Sequence, residues 1–353
     1  KKIQLSRRAR VEAVTILSNL PPLVEPKTSM KMPQFGFGTS PIGDLFVKTP
    51  EAEIQQALDT AWKLGIRYFD TAPWYGHGLS EHRLGSLLRQ HEREKYFIST
   101  KVGRVYKPVK RGEDKRLPWV GGQNFEVSYD YSANGLAESY AQSQLRLGQS
   151  SIDALIIHDL DQGYHNTKFE YYYKQLTKSG LSYLNDLKSS GEISSIGMGI
   201  NALIDFEFFA SSIDLDFFLV AMPYTLLDQT SLNTAMQICI ERGIKIVLGA
   251  PFASGLLTNP NNPEVRYNYG PVPEKVRAHA IKIQDCCKDF NIPLMAAALQ
   301  FPLFHPAVCS IVPGSRTARQ VEENVKNFNF TIPKELWPEL KRRDLIAHNA
   351  PTE

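Results

Sequence analysis

Residues 65–85 read GIRYFDTAPWYGHGLSEHRLG, in which a short apolar run ends at Asp70 and is followed by Trp74 and Tyr75. The apolar run is typical of a buried strand, and the glycines beyond it indicate a loop. Loops normally lie at the surface, where bulky aromatic side chains gain little from burial, and they carry many binding and catalytic residues. Asp70, Trp74 and Tyr75 are therefore candidates for a functional site at the end of this strand.

Working outward from this segment, short apolar runs alternate with amphipathic segments from about Phe35 onward. Each run is rich in Ile, Val or Phe, which is typical of a strand buried on both faces of a parallel sheet. The runs are QFGFGTSPIG, IRYFDTA, YFISTKVG, IDALIIHDL, ISSIGMGI, DFFLVAM, IKIVLGA and VCSIVPG. The helical patterns are EAEIQQALDTAWKLG, LSEHRLGSLLRQ, NGLAESYAQSQLRLG, FEYYYKQLTKSGLSYLNDLKSSG, ALIDFEFFASS, TSLNTAMQICIERG, PEKVRAHAIKIQDCCKDF and TARQVEENVKNF. This strict alternation predicts an α/β fold, a (β/α)8 TIM barrel.

The alternative fold is an open doubly wound sheet, which expects a G-x-G-x-x-G motif between its first strand and first helix. The segment GFGTSPIG has only part of that spacing, so the barrel is favoured. Residues 103–134 are too polar and too rich in Gly, Pro and Lys for a strand or helix, and residues 253–273 form a second long loop. These loops follow the third and seventh strands, at the face of a barrel where active sites lie. We expect residues 1–34 to form an N-terminal extension and residues 35–353 a single barrel domain.

Composition excludes several classes of function. Forty basic and 37 acidic residues give a net charge of +3 with both signs scattered, which argues against nucleic acid or an anionic membrane as a partner. No stretch of the sequence is apolar enough to span a bilayer, and the N-terminal segment lacks the features of a signal peptide. Two of the four cysteines are adjacent and none suggests a paired framework, which predicts reduced thiols in a cytoplasmic protein.

Four chemically active side chains follow consecutive predicted strands. Asp70 ends the second strand, Tyr75 lies in the loop after it, Lys101 ends the third strand and His158 the fourth. A phenol titrates near pH 10, and a neighbouring ammonium lowers its pKa, so Lys101 is expected to prepare Tyr75 for proton transfer. Asp70 would hold the ammonium in place, and His158 would orient the oxygen of a substrate. The four residues together predict an acid–base site without a metal.

Taken singly, each residue also has a structural interpretation. Asp70 is compatible with capping a turn, Tyr75 with packing under a loop, and His158 with a hydrogen-bonded core histidine. Lys101 is harder to explain in this way, because a lysine at the end of a buried strand needs a partner. Their coincidence at successive strand ends favours function.

The chain resembles the aldo-keto reductase superfamily between about Phe35 and Phe330. The motifs that carry the resemblance are GIRYFDTAPWYG, FISTKVG, LIIHDLD, SIGMGIN, PYTLLDQ, GAPFASGLL and IVPGSRTARQVEENV. The resemblance implies a barrel, a nicotinamide cofactor and an Asp–Tyr–Lys–His catalytic tetrad. In this sequence the implied tetrad is Asp70, Tyr75, Lys101 and His158.

The resemblance also implies a set of cofactor-binding residues at the strand ends. They are Gly38, Thr39, Ser40, Asp70, Asn201, Ser254, Gly255, Leu256, Gly314, Ser315, Arg316, Gln320, Glu323 and Asn324. The chain departs from the family pattern around the nicotinamide, with Gly199-Ile200 in place of Ser-Asn, Ala221 in place of Gln and Gly249 in place of a stacking Tyr. It also lacks a Lys at Gly314 and an Arg at Gln320. These losses of positive charge favour NAD, although Arg316 and Arg319 keep NADP open.

A closer resemblance points to the bacterial aldose 1-dehydrogenase branch, which contains D-threo-aldose (L-fucose) dehydrogenases and pyridoxal 4-dehydrogenases, with plant L-galactose dehydrogenase more distant. It rests on HDLD, FEVSYDYS, PYTLLDQ, RYNYGP and AAALQFPLFHPAVCSIVPG. The implied reaction is oxidation of the cyclic hemiacetal of a small molecule to a lactone, by a monomer or small homo-oligomer. The non-enzymatic alternative is a regulatory subunit that binds nicotinamide. The implied substrate residues are Trp74, Tyr75, His158, Phe252, Tyr267 and Tyr269, with Trp119 as a further wall residue or a loop anchor.

Overall fold

Eight parallel strands form the centre of the protein in the computed structural model, which describes residues 32–109 and 117–353. The predicted N-terminal extension lies outside the described residues except for 32–34. The strands found in the described ranges are β1 Phe37–Gly38, β2 Tyr68–Asp70, β3 Phe97–Val102, β4 Arg104–Pro108, β5 Phe125–Tyr129, β6 Ala154–Ile157, β7 Ser195–Ile200, β8 Phe217–Val220, β9 Lys245–Gly249 and β10 Val308–Val312. All except β4 and β5 belong to the parallel sheet, in the order β1-β2-β3-β6-β7-β8-β9-β10.

The sheet closes on itself between its first and last strands. Parallel bridges join Phe35 to Ile311 and Gly38 to Gly314. The amide of Gly36 donates to the carbonyl of Ile311 at 2.9 Å, and the amide of Gly38 donates to the carbonyl of Pro313 at 3.0 Å. Closure leaves no free sheet edge and confirms the predicted (β/α)8 barrel.

Helices cover the outside of the barrel and confirm the eight predicted helical patterns. Ser132 caps one of them, its side chain accepting from the amide of Gly135 at 3.3 Å, and Gly148 ends that helix in the left-handed conformation. The helices are α1 Glu51–Lys63, α2 Leu79–Leu88, α3 Ala133–Leu147, α4 Gln162–His165, α5 Phe169–Gln175, α6 Leu181–Ser189, α7 Leu203–Ser212, α8 Ala235–Arg242, α9 Glu274–Asp289, α10 Leu294–Gln300, α11 Ala318–Phe328 and α12 Leu336–Arg342. A π-helical turn, Leu176–Gly180, joins α5 to α6, so one predicted helix has an interruption.

The expectation that residues 103–134 contain no strand is wrong. Strands β4 and β5 form an antiparallel hairpin, with Arg104 opposite Tyr129 and Pro108 opposite Phe125. A two-stranded ribbon has one solvent-exposed face, so polar residues are compatible with it, and an average over the segment hides the alternation. The hairpin packs on α3, where Ser139 donates to the carbonyl of Arg104 at 2.9 Å.

Two apolar layers fill the molecule. The larger lies between the strands and the helices, and it includes the buried thiols of Cys239, Cys286 and Cys287. The smaller fills the barrel interior and contains Met32, Tyr68, Phe97, Ala154, Ile156, Phe217, Leu219, Val247 and Val312. Within the described ranges, the helices are all too short or too polar to cross a membrane.

Candidate active site

On three strands, the side chains that face the barrel interior are followed by predicted site residues at the carboxyl end of the barrel. Side chains of a strand alternate between its faces, so a residue two positions beyond an interior one faces the same way. Asp70 follows interior Tyr68, Lys101 lies four positions beyond interior Phe97, and His158 follows interior Ile156. The three predicted site residues therefore converge because each continues a row that fills the barrel.

Asp70 and Lys101 form a buried ion pair. The ammonium Nζ of Lys101 lies 2.8 Å from Oδ2 of Asp70 and donates to the carbonyl of Thr71 at 2.9 Å. Ser99 donates its hydroxyl to the other carboxylate oxygen, Oδ1, at 2.8 Å. Burial raises the pKa of Asp70, while the Lys101 charge and these hydrogen bonds oppose the rise. The pair therefore has the partners that a buried charge requires.

Tyr75 reaches this pair from the loop after β2. The Lys101 Nζ lies 4.6 Å from the centroid of the Tyr75 ring, and the His158 ring stands edge-on to it at 6.3 Å between centroids. The turn needs Gly76, whose φ is +65° and where a Cβ would lie 2.6 Å from the carbonyl oxygen of Gly43. The backbone of this turn thus holds the phenol beside the ammonium and the imidazole.

The expected lowering of the Tyr75 pKa is wrong. Burial raises this pKa well above its ordinary value, and the carboxylates of Asp70 and Asp159 raise it further, while Arg104 opposes them. Lys101 does not dominate because Asp70, at 2.8 Å, balances its charge. The phenol is therefore protonated at neutral pH.

His158 is neutral in the same setting. Burial lowers its pKa well below the ordinary value, and the nearby cations Arg104 and Lys101 add to the effect. Its Nε2 lies 3.3 Å from Oδ2 of Asp159. Its Nδ1 is buried without a hydrogen-bond partner among residues 32–109 and 117–353. A neutral imidazole carries one proton, which makes it a donor at one nitrogen only.

Arg104 and Asp159 were not predicted as site residues. The guanidinium Nη2 of Arg104 donates to Oδ2 of Asp159 at 2.7 Å, and Asn201 donates its amide Nδ2 to Oδ1 at 3.1 Å. Arg104 stands two residues after β3 ends, and Asp159 directly follows His158. The sequence shows that both charged residues lie close to strand ends. It does not show that they meet, because their contact depends on the hairpin.

Aromatic side chains line one side of the mouth. Half-buried Trp74 contacts the rings of Trp119, His158 and Tyr269, at centroid distances of 5.1, 6.1 and 6.4 Å. Trp119 is fully buried and bridges to Leu45, and its ring centroid lies 5.6 Å from that of Tyr75.

Two other predicted wall residues belong to the outer core. Phe252 is buried in the outer core and Tyr267 packs against it. Neither has a ring contact with Trp74 or Tyr75 among the described residues, so the structure brings Tyr269 to the phenol's neighbourhood but not these two.

Most of the predicted cofactor residues lie in three loops at the same end of the barrel or on α11, which follows the third loop. The first, Gly38 to Ser40, pairs with the third through the bridge between Gly38 and Gly314. Asn324, on α11, donates to the hydroxyl of Ser315 in the third loop at 2.9 Å. The amide of Arg316 donates to the side chain of Gln320 at 2.9 Å, and Glu323 pairs with Arg319 at 3.4 Å.

The second loop, Ser254 to buried Leu256, presents backbone to open space. Ser254 and Gly255 both have positive φ, and a Cβ on Gly255 would meet nothing within 4 Å. Small residues also lie at or next to the ends of the neighbouring strands β7, β8 and β9, at Gly199, Ala221 and Gly249. These features leave room for an extended ligand and fit a dinucleotide lying along the rim.

Comparison with known proteins agrees with this geometry. The family model described as the Aldo/keto reductase family matches residues 34–344. The chain is 36% identical to pyridoxal 4-dehydrogenase of Microbacterium luteolum, over 91% of this chain and 96% of that protein. It is 33% identical to D-threo-aldose 1-dehydrogenase of a Pseudomonas species, over 90% of this chain and 95% of that protein.

Solved structures share the fold at lower identity. An aldo-keto reductase from Bacillus halodurans superposes with a TM-score of 0.67 at 22% identity, covering 90% of this chain and 93% of that one. A glycerol dehydrogenase from Gluconobacter oxydans gives a TM-score of 0.69 at 20% identity, covering 92% and 95%. At these identities the likeness shows the barrel and not the substrate.

Replacing Lys101 by Met tests the buried ion pair. We expect Lys101→Met to lower the free energy of unfolding by about 3–5 kcal/mol, because it leaves the Asp70 carboxylate buried without its cation. Adding Asp70→Asn should recover part of this loss, since the amide carries no charge. Urea unfolding of the two single variants and the double variant measures the coupling. Strictly additive losses would contradict a direct interaction between the two side chains.

Proposed function

The chain belongs to the Aldo/keto reductase family of oxidoreductases, and from this premise we propose that it oxidises the cyclic hemiacetal of an aldose of the D-threo type to a lactone. The observation that carries the proposal is the convergence of a phenol, an ammonium–carboxylate pair and a neutral imidazole at one mouth of the barrel. L-Fucose is the first substrate to test. NAD is the proposed cofactor.

In this proposal each residue of the tetrad has one task. The chemistry that NAD supplies when bound is acceptance of the hydride from the anomeric carbon. Tyr75, in its phenolate form, takes the proton of the anomeric hydroxyl at its phenolic oxygen, so the C–H and O–H bonds break and the lactone carbonyl forms. His158 donates to the substrate oxygen and orients it, and Lys101, held by Asp70, keeps positive charge beside the phenol.

The three rim loops are the proposed cofactor site. The backbone amide of Ser254 has no hydrogen bond to another described residue, so it is available to a phosphate oxygen. Ser315 and Arg316 lie at the proposed adenosine end, with Gln320, Glu323 and Asn324 on α11 beside them. On the nicotinamide side, Asn201 is the proposed partner of the carboxamide.

Charge at the adenosine end favours NAD over NADP. Arg319 is paired with Glu323, which balances its charge. Position 314 carries no cation, and a side chain there would have to displace Pro41, whose Cγ would lie 2.7 Å from an added Cβ. Arg316 is therefore the one cation of this loop, among the described residues, without a carboxylate in contact. A 2′-phosphate would carry close to two negative charges against this single cation.

The second candidate reaction is oxidation of pyridoxal, which also closes to a cyclic hemiacetal. It is favoured by the 36% identity to pyridoxal 4-dehydrogenase and by the aromatic wall at Trp74 and Tyr269, which suits stacking on a pyridine ring. Oxidation of an L-galactose-type sugar is a further variant of the same chemistry. A nicotinamide-binding regulatory subunit is the alternative without turnover. The free thiols of the described residues support a cytoplasmic location, and we propose a monomer or small homo-oligomer.

A substrate panel tests the proposed reaction. Formation of NADH, followed by absorbance, should be seen with L-fucose and D-arabinose, with a higher kcat/KM for NAD than for NADP. A higher kcat/KM for pyridoxal than for every sugar would favour the second candidate reaction over the first. If no compound of the panel is oxidised while NADH still binds, the regulatory alternative replaces the enzymatic one.

Replacing Tyr75 by Phe tests the proposed proton transfer. Turnover should fall by roughly 10²–10⁴-fold, because the proton acceptor is removed, while NADH binding measured by fluorescence stays unchanged. Since the pKa of Tyr75 is raised, the phenolate fraction grows about tenfold with each pH unit below that pKa, so kcat/KM for oxidation should rise toward alkaline pH. Activity retained in Tyr75→Phe, or a flat pH profile, would reject this role.

Cofactor preference is tested by Gln320→Arg. The added guanidinium should raise kcat/KM for NADP about tenfold, since one charge-assisted hydrogen bond to a phosphate corresponds to about 1.5–3 kcal/mol. The value for NAD should stay nearly constant. Gln237→Arg, an exposed exchange of the same kind on α8, is the control and should change neither value. An unchanged kcat/KM for NADP in Gln320→Arg would contradict a 2′-phosphate position beside residue 320.

A further inference from the structure

Arg104 is a fully buried cation next to the tetrad. Besides its bond to Asp159, its guanidinium carbon lies 4.6 Å from the ring centroid of Trp74 and 5.2 Å from that of Tyr164. Its Nε and Nη1 have no hydrogen-bond partner in the described part of the chain. A buried charge with unsatisfied N–H groups is costly and adds little to stability by itself, so stability is a weak explanation for it.

Asp159 is the point where this cation meets the candidate active site. Its carboxylate contacts Arg104 and Asn201, and its Oδ2 lies 3.3 Å from Nε2 of His158. Its backbone has a φ of +44°, in the left-handed region that residues other than glycine seldom adopt. Strain of this kind persists where surrounding contacts hold it, and it is concentrated at functional sites.

We propose that Arg104 and Asp159 are positioning residues, whose ion pair holds His158 as the Nε2–H tautomer and so fixes it as the donor to the substrate oxygen. This inference rests on the proposed function for the identity of the substrate oxygen. A carboxylate oxygen 3.3 Å from Nε2 repels a lone pair there and favours a proton. With one proton on the neutral ring, Nδ1 is left as the bare nitrogen, in agreement with its lack of a partner among the described residues.

In this arrangement Arg104 fixes the orientation of the Asp159 carboxylate, which is more than joining two segments of the fold. Arg104 fixes one oxygen of Asp159 and Asn201 fixes the other, so the carboxylate cannot rotate away from the imidazole. Loss of the guanidinium should free the carboxylate and misorient His158 without changing the rim loops. A purely structural role would instead lower stability and leave the tautomer and kcat of the folded fraction unchanged.

Kinetics of three variants test the proposal. In Arg104→Met and Asp159→Asn, kcat should fall about 10²-fold, as expected when a reacting group is misplaced. In Arg104→Met, KM for NAD should stay constant, whereas Asp159→Asn should also raise it through Asn201. Arg104→Lys should recover part of the loss, because it keeps the charge but not the planar contact with Trp74.

Arg93→Met is the matched control. Arg93 and Asp153 form an ion pair of the same residue types at 2.6 Å, near the amino ends of β3 and β6. Its kcat should equal that of the unmodified protein, and thermal unfolding checks that all variants are folded. If Arg104→Met does not fold, Arg104→Lys and the nearly isosteric Asp159→Asn decide the question. Unchanged kcat in Asp159→Asn would overturn the proposal.

Histidine-selective ¹⁵N NMR gives a readout that needs no substrate. The signal of His158, assigned by its absence in His158→Gln, should show the Nε2–H tautomer in the unmodified protein and a mixture or the other tautomer in Asp159→Asn. The same tautomer in both would overturn the proposal. If the unmodified protein oxidises no compound of the panel, the proposed function fails, and the NMR comparison still decides whether the ion pair sets the tautomer.

Discussion

Side-chain alternation in a closed parallel barrel is the constraint on which the site depends. Strands of such a barrel end at the same rim, and every second residue faces the interior. Residues that fill the barrel at Tyr68, Phe97 and Ile156 therefore fix where Asp70, Lys101 and His158 emerge. A one-residue shift in any of these strands would turn its functional side chain toward the helices. The same rule places Gly199 and Gly249 on the opposite half of the barrel's carboxyl end, which is the proposed cofactor side.

Two buried ion pairs share the surroundings of Tyr75 and set its electrostatics. Asp70 is balanced by Lys101, and Asp159 by Arg104, so the site holds four charges with no net charge. Because each cation is balanced by a nearby carboxylate, burial of the phenol decides the direction of its pKa. The protein thereby keeps Tyr75 and His158 uncharged in a setting rich in ions. His158 is thereby a neutral donor, whereas Tyr75 accepts a proton only in its ionised fraction, which grows toward alkaline pH.

The sequence predicts the barrel and the meeting of Asp70, Lys101 and His158 because these follow from local periodicity. It does not predict the hairpin of β4 and β5, since antiparallel pairing depends on contacts between residues about 20 positions apart. For the same reason Arg104 and Asp159 were missed, because their contact spans 55 positions. The expected direction of the shift in the Tyr75 pKa was wrong. A sequence shows which charged residues are near, but it does not show the burial and ion pairing that decide how strongly each charge acts on the pKa.

The segment after β3, which resembles a loop in composition, holds the aromatic wall beside Tyr75. Trp74 lies between the guanidinium of Arg104 at 4.6 Å and the ring of Trp119 at 5.1 Å, and both come from this segment. Trp74 is adjacent to Tyr75, so any displacement of the segment moves the residue beside the phenol. The barrel alone therefore positions Asp70, Lys101 and His158, whereas the segment positions the aromatic wall and, through Asp159, restrains His158. Among the described residues, the ion pair of Asp70 and Lys101 has no contact with this segment in the hydrogen bonds of the two side chains, so the aromatic wall and the ion pair are held by different parts of the fold.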